Sequence, residues 1–431
     1  MTAPLPARFT ELKRAIAATN PTFEQDLTMA WGEVLAELDT VTKTIAKEGP
    51  AYIPQVFFAD LNKLSAAQIA DIKRKGTVVI RDVVDNAQAR AWKASLEEFI
   101  KANSQAEGFP EGNKQFFHLY WTKPQIQARA HPNMLAASTW LNGLYHIKTG
   151  EAPDGVNLVT PLSYADRFRI RHPGVPWVRH PPHIDGGAIE RWEDENFRVC
   201  LADILSGAWR KHDPYTLEPQ LDACTSLYQR PNQSSVFRTK AGPNQGTLKV
   251  FPDVLLSNAY IILCPFFRPL VPLGSKEILD AKNWEFDILI PDFPGIRTRE
   301  NDPGFAGPYP TNEQHPHMLL DETVTSIPDI NPTLSSGTAT WCTLLSKSIM
   351  APRTQPVSRF ASIYVMYIPV VPLTPANARY VARQKEEFLK GLPPPDFRTA
   401  TTGVGLIGLG KDEDIKEPLG RKAMGLPISV V

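Results

Sequence analysis

At 431 residues the chain is long enough to bury a large core, and its 46 basic residues cancel its 46 acidic ones. That balance leaves no basic stripe for nucleic acid or an anionic membrane surface, and no apolar run nears the ~20 residues of a bilayer span. Met1 to Arg14 carries no signal-peptide core and the four cysteines show no CxxC spacing, so the expected setting is cytoplasmic, without a disulfide framework.

Residues 8–48 read as helical, with Phe9, Leu12, Ile16 and then Leu27, Trp31, Val34, Leu35 and Leu38 at three- and four-residue spacing. Ser65 opens a short helix to Arg74, Gly76 ends it, and Thr77 to Arg81 follows as a strand. Asn86 to Ala102 is amphipathic, with Ala87, Trp92, Leu96 and Ile100 expected inward. An aromatic run from Phe116 to Trp121 precedes a helix expected from Pro132 to Ile147.

Beyond about residue 160, short runs at 166–171, 198–204, 246–251, 258–264 and 362–370 are broken by Pro and Gly. Forty prolines, roughly twice the usual frequency, fit many short strands and turns, the texture of an antiparallel barrel or jelly roll. Thr374-Pro375 then caps a last helix to about Leu392, Thr at the N-cap and Pro at the first helical position. The predicted class is α+β, mainly β, divided into a helical and mixed extension (1–150), a jelly-roll core (151–373) and a C-terminal helix with its tail (374–431).

The chemistry concentrates in Pro181-Pro182-His183-Ile184-Asp185-Gly186-Gly187. On a strand, residues two apart share a face, so the imidazole of His183 and the carboxylate of Asp185 can converge on one metal ion. One imidazole and one carboxylate are two thirds of the facial triad that leaves open positions on Fe(II). The run Asp166-Arg167-Phe168-Arg169-Ile170-Arg171 precedes it and sets three arginines on one side of a strand, a row able to grip a carboxylate bidentately. Its bland alternative is a solvated sheet face. His315-Pro316-His317 reads as a turn, and His131-Pro132 and His212-Asp213-Pro214 as loops. There is no Gly-rich phosphate loop, no Gly-x-Ser-x-Gly elbow and no HExxH helix.

Tyr164-Ala165-Asp166-Arg167-Phe168-Arg169-Ile170-Arg171, Pro182-His183-Ile184-Asp185-Gly186-Gly187 with Glu190-Arg191-Trp192, Gly246-Thr247-Leu248-Lys249-Val250, His315-Pro316-His317, and Tyr367-Ile368-Pro369 with Pro372-Leu373-Thr374 resemble, in order, the YbiU-like domain-of-unknown-function family of bacteria and fungi. The likeness runs from about residue 50 to the C-terminus and includes Tyr120-Trp121 and Pro394-Pro395-Asp396-Phe397. It implies a double-stranded β-helix core and non-haem Fe(II), 2-oxoglutarate-dependent oxidation of a small organic substrate. His183 and Asp185 fall on the first two iron ligands of that pattern, and Arg169 and Arg171 are candidate carboxylate anchors for 2-oxoglutarate.

The chain departs from the pattern twice. A family strand expected just before Gly246-Thr247-Leu248 is missing near 238–240. The third iron ligand is missing too, since no histidine follows His317. In place of the family's Trp-His-Cys-Asp, two apolar residues and His stand Gly337-Thr338-Ala339-Thr340-Trp341-Cys342-Thr343. Read one nucleotide earlier, the codons of those residues permit Trp-His-Cys-Asp-(Leu/Met/Val)-Val-His. The pattern points to a reading-frame slip over residues 333–359, which makes Arg359 an artefact, with family-like sequence resuming near Ala361. The alternatives are a non-catalytic jelly-roll subunit that has lost its third ligand, and a cupin-like isomerase or zinc site on the same barrel.

Overall fold

The apolar spacing of the first fifty residues folds as α1 (Arg8–Ala17) and α2 (Phe23–Glu48), with Phe9, Ile16, Leu27, Trp31, Val34, Leu35 and Leu38 buried. The structure is a computed structural model that describes residues 7–172, 189–217, 234–238, 249–272, 275–293, 296–297, 309–310, 325–326, 338–342, 363–397 and 405–428. After β1 (Gln55–Phe57) comes α3 (Ala66–Lys75), opened by a reciprocal capping box between Ser65 and Gln68 and closed by Gly76 at φ 64°. That turn leads directly into β2 (Thr77–Arg81). Asp85 then caps α4 (Asn86–Ala102), its carboxylate accepting from the backbone N–H groups of Ala87 and Gln88. The buried stripe of α4 is Ala89, Trp92, Leu96 and Phe99; Ala87 is exposed, because two residues before Ala89 is the far side of a helix.

A hairpin of β3 (Gly108–Phe109) and β4 (Phe116–Phe117) precedes α5 (Lys123–Ala130) and α6 (Pro132–Asn142). The latter stops short of Ile147, since Gly143 follows it and His146–Ile147 pairs with Thr216–Leu217 as a strand. Next come β5 (Asn157–Ser163) and β6 (Phe168–Arg171). Residues 198–204, expected to be extended, are short helical turns, because Asp194 caps Glu195–Cys200 through the N–H groups of Asn196 and Phe197. After β7 (Ser234–Arg238), the apolar run at 258–264 is also helical: it belongs to α7 (Val254–Leu263), capped by Asp253 and buried on nearly every side. Burial all round removes the helical period that would have marked it. Then follow β8 (Thr338–Cys342), β9 (Ile363–Leu373), α8 (Pro375–Leu389) with Thr374 as its N-cap, and α9 (Pro418–Ala423). Cys264 is a buried free thiol, and Cys200 is disulfide-bonded.

The main sheet has the strand order β1-β2-β8-β7-β9-β6-β4-β3, with β5 pairing along β9. All its ladders are antiparallel except β1 with β2. Register sorts the residues into two faces. One cross-strand row runs Val56, Ile80, Ala339, Phe237, Met366, Phe168, Phe117. Val56, Ile80, Met366, Phe168 and Phe117 share a core with Trp92, Leu96, Phe99 and Leu141, so α4 and α6 cover this face. The alternate row, Arg238, Val365, Arg169, Phe116, belongs to the opposite face.

A second core joins α1, α2 and α7 around Trp31, whose ring stacks on Phe267 at 4.9 Å and meets Tyr260 at 5.1 Å. Lys13 donates to the Ile290 carbonyl at 2.9 Å, and burial pushes its ammonium down to about 8 against the pull of Asp292 and Asp287. No helix among the described residues is long and apolar enough to cross a membrane.

Candidate functional site

Strand β6 precedes the His183/Asp185 run in the sequence, and its alternation decides what each face carries. Phe168 and Ile170 enter the helix-covered core, while Arg169, opposite both Phe116 and Val365 in the ladders, is 0% exposed on the other face. A guanidinium so enclosed has to be paired, and Arg169 engages partners within the fold. Arg171 ends the strand opposite Ile363; its side chain is outside the description, as are His183, Asp185, His315 and His317. Among the described residues no three His, Cys, Asp or Glu side chains converge as a metal site.

Arg167, just ahead of β6, is held firmly. Its Nε lies 2.9 Å from Asp166 Oδ1, and its guanidinium sits 4.8 Å from the ring centroids of both Phe116 and Phe397. Burial works to lower its pKa, but Asp166, Tyr120 and Tyr367 outweigh that and raise it, so the charge is permanent. Phe116 also meets Tyr367 at 5.8 Å. His118 stands edge-on to Phe109 at 5.7 Å, with Nδ1 3.9 Å from Glu107 Oε2. Burial first, and then Arg167, lowers the His118 pKa against the pull of Glu107, which favours a neutral imidazole.

The strand entry is braced from behind. Arg129, fully buried, donates from Nη2 to the Tyr120 carbonyl and from Nη1 to the Asp166 carbonyl at 3.4 Å; burial pushes its pKa down to about 9. Gln125 Nε2 donates to the carbonyls of Leu119 at 2.7 Å and Asp166 at 3.0 Å. On the outer side Tyr164 donates to Asp396 at 2.9 Å, while Tyr120 stacks on Phe397 at 4.9 Å. Residues 166–169 thus present fixed positive charge between aromatic walls, an arrangement suited to a carboxylate on a planar or apolar body.

Sequence reasoning found the arginine run, and the resemblance took in Phe397, but neither gave a site role to Arg129, His118, Glu107 or Phe397. The aromatic run at 116–121 was the available signal for the wall; the bracing arginine gives none, because its partner carbonyls are fixed only by the fold. His131 is a cap as well as a loop residue, its Nδ1 accepting from the N–H of Asn133 at 3.2 Å.

A family model described as Gig2-like matches residues 3–426. The chain belongs to the Gig2-like family. It is 26% identical over 417 residues to the uncharacterized protein YbiU of Escherichia coli K12, covering 91% of this chain and 89% of that protein. Among solved structures, GlcNAc Inducible Gene 2 (GIG2, DUF1479) from Candida albicans matches with a TM-score of 0.81 at 26% identity, over 99% of this chain and 90% of that one. The hypothetical protein JW0805 from Escherichia coli matches with a TM-score of 0.73 at 25% identity, over 99% of each chain. The Gig2-like assignment and the YbiU match bear out the resemblance carried by the arginine strand and the His183/Asp185 run. The likeness to GIG2 takes in nearly the whole chain, strands β1 to β4 of the first 150 residues included.

Proposed function

We propose that this Gig2-like chain is built on a jelly-roll scaffold for Fe(II)- and 2-oxoglutarate-dependent oxidation of a small organic substrate, by hydroxylation, desaturation or cyclisation. The observation that carries the reading is Arg169, wholly buried on the face of β6 away from the covering helices and on the strand that precedes His183 and Asp185. A buried guanidinium beside Phe116 fits the carboxylate of a keto acid, and Arg171 follows it in sequence as a second anchor.

The iron half of the reading does not fit the chain as it stands. His183 and Asp185 supply two donors, and no histidine after His317 supplies the third. Loss of one of three protein ligands leaves iron held weakly. The slipped frame over 333–359 accounts for the missing histidine, and in the shifted reading an imidazole stands at position 343, one residue after the end of β8.

The test is to sequence the transcript across codons 230–250 and 330–362, express the frame-restored chain beside the present one, and measure succinate formation. Turnover by the restored chain alone supports the oxygenase. A confirmed sequence with no turnover from either chain overturns it in favour of the second reading, a non-catalytic jelly-roll subunit, which the two-ligand set favours. Metal dependence without consumption of 2-oxoglutarate would instead mark an isomerase or zinc site.

A further inference from the structure

We propose that the helix-covered side of β6 holds a second small-molecule site, one that takes an amphipathic carboxylate. A cavity of about 950 Å³ opens there between the end of α4, the loop before β4, and the strands β6 and β9. Its floor is apolar, built from Ile100, Phe117, Ile170 and the ring of Tyr364. Because Ile170 and Arg169 alternate along one strand, this cavity and the arginine face lie on opposite sides of the sheet.

The rim sets the sign of the ligand. Glu97 is already engaged, accepting from the Tyr364 hydroxyl at 2.8 Å and lying 4.0 Å from Lys93. Lys114 is fixed at the cavity edge by the carbonyls of Ser104, at 3.2 Å, and Ala106, at 2.6 Å, and pairs with no carboxylate among the described residues. Lys101, in the last turn of α4, pairs with none either. With Lys93 beside Glu97, three ammonium groups stand against the two carboxylates of Glu97 and Glu111, so the balance of charge around the cavity favours an anion. His172 adds direction. Its Nε2 meets the Lys114 carbonyl at 3.2 Å, and a carbonyl only accepts, so Nε2 is the donor. In the neutral ring Nδ1 then accepts from a hydroxyl or amide of the ligand. The volume lies in the range of small-molecule sites, with apolar walls for the body and cations for the head.

The probes are 2-naphthylacetate and its uncharged carboxamide, titrated calorimetrically into the full chain. The expected result is saturable one-to-one binding of the acid, with the carboxamide about threefold to tenfold weaker. Lys101→Glu removes that preference for the acid. Ser104→Trp, an exposed position that fills the mouth, abolishes binding while thermal unfolding stays unchanged. Absence of saturable binding at millimolar acid overturns the proposal, as does equal affinity for acid and carboxamide. Acid binding that survives both substitutions places the ligand elsewhere and overturns it as well.

Discussion

The guanidinium of Arg167 lies 4.8 Å from the ring centroid of Phe397, a contact that ties the C-terminal turn at 395–397 to the residue ahead of β6. The same ring stacks on Tyr120 at 4.9 Å, so one side chain closes the aromatic wall around a fixed cation. Phe397→Ala removes both contacts from a half-buried position and should destabilise the chain by about 1–3 kcal/mol. Thermal unfolding measures this. Arg167→Lys keeps the charge but loses the planar stacking, and should recover less than half of that stability when compared with Arg167→Ala.

Packing between α9 and α5 leaves no room for a methyl group. A Cβ on Gly420 would stand 2.5 Å from the Ala130 Cβ and 2.7 Å from its carbonyl oxygen. Gly420→Ala therefore forces the two helices apart, with an expected loss of about 1–3 kcal/mol in urea unfolding.

Two groups near α7, the buried Asp253 and the half-buried His212, give the chain opposing pH dependences. Burial pushes the Asp253 carboxyl up to about 6, although the Leu256 N–H and Arg74 favour its ionised form. Its folded pKa exceeds the ordinary 3.8, so its stabilising effect is fully present below that value and is lost as pH rises through about 6. Burial pushes His212 down to about 4, against the pull of Asp203 and Asp213. Its effect is present above the ordinary 6.5 and is lost as pH falls through about 4. Each slope is worth at most about 3 kcal/mol across its window, and the two oppose each other. The wild-type urea midpoint should therefore change little between about pH 4 and 6. Asp253→Asn should uncover a loss of stability on acidification. His212→Gln should uncover a gain.

Short-range chemistry was legible in the sequence. Ser65 with Gln68, Gly76, and Thr374 with Pro375 act through partners at most a few residues away, and each does in the fold what its residue type predicts. The arginine strand was legible too, since alternation alone sends Arg169 and Ile170 to different faces. What stayed hidden depends on distant partners. Nothing near Thr77 to Arg81 says that β2 lies against β8, more than 250 residues later in the chain. The run at 258–264 reads as extended because α7 is buried on nearly every side and carries no helical apolar period. Arg129 gave no sign that it braces the carbonyl of Asp166.

If Arg169 anchors the co-substrate carboxylate, Arg169→Gln in the frame-restored chain should raise the 2-oxoglutarate concentration for half-maximal succinate release by about tenfold or more. Lys101→Glu, on the opposite side of the sheet, should leave that concentration unchanged.

We propose that the present chain holds two of three iron ligands and its restored frame all three. Anaerobic Fe(II) titration of the two proteins side by side tests it most directly. The expected result is weak, non-stoichiometric binding by the present chain and tight one-to-one binding by the restored one, abolished there by His183→Ala. Tight one-to-one binding by the present chain, or equally weak binding by both, would contradict it.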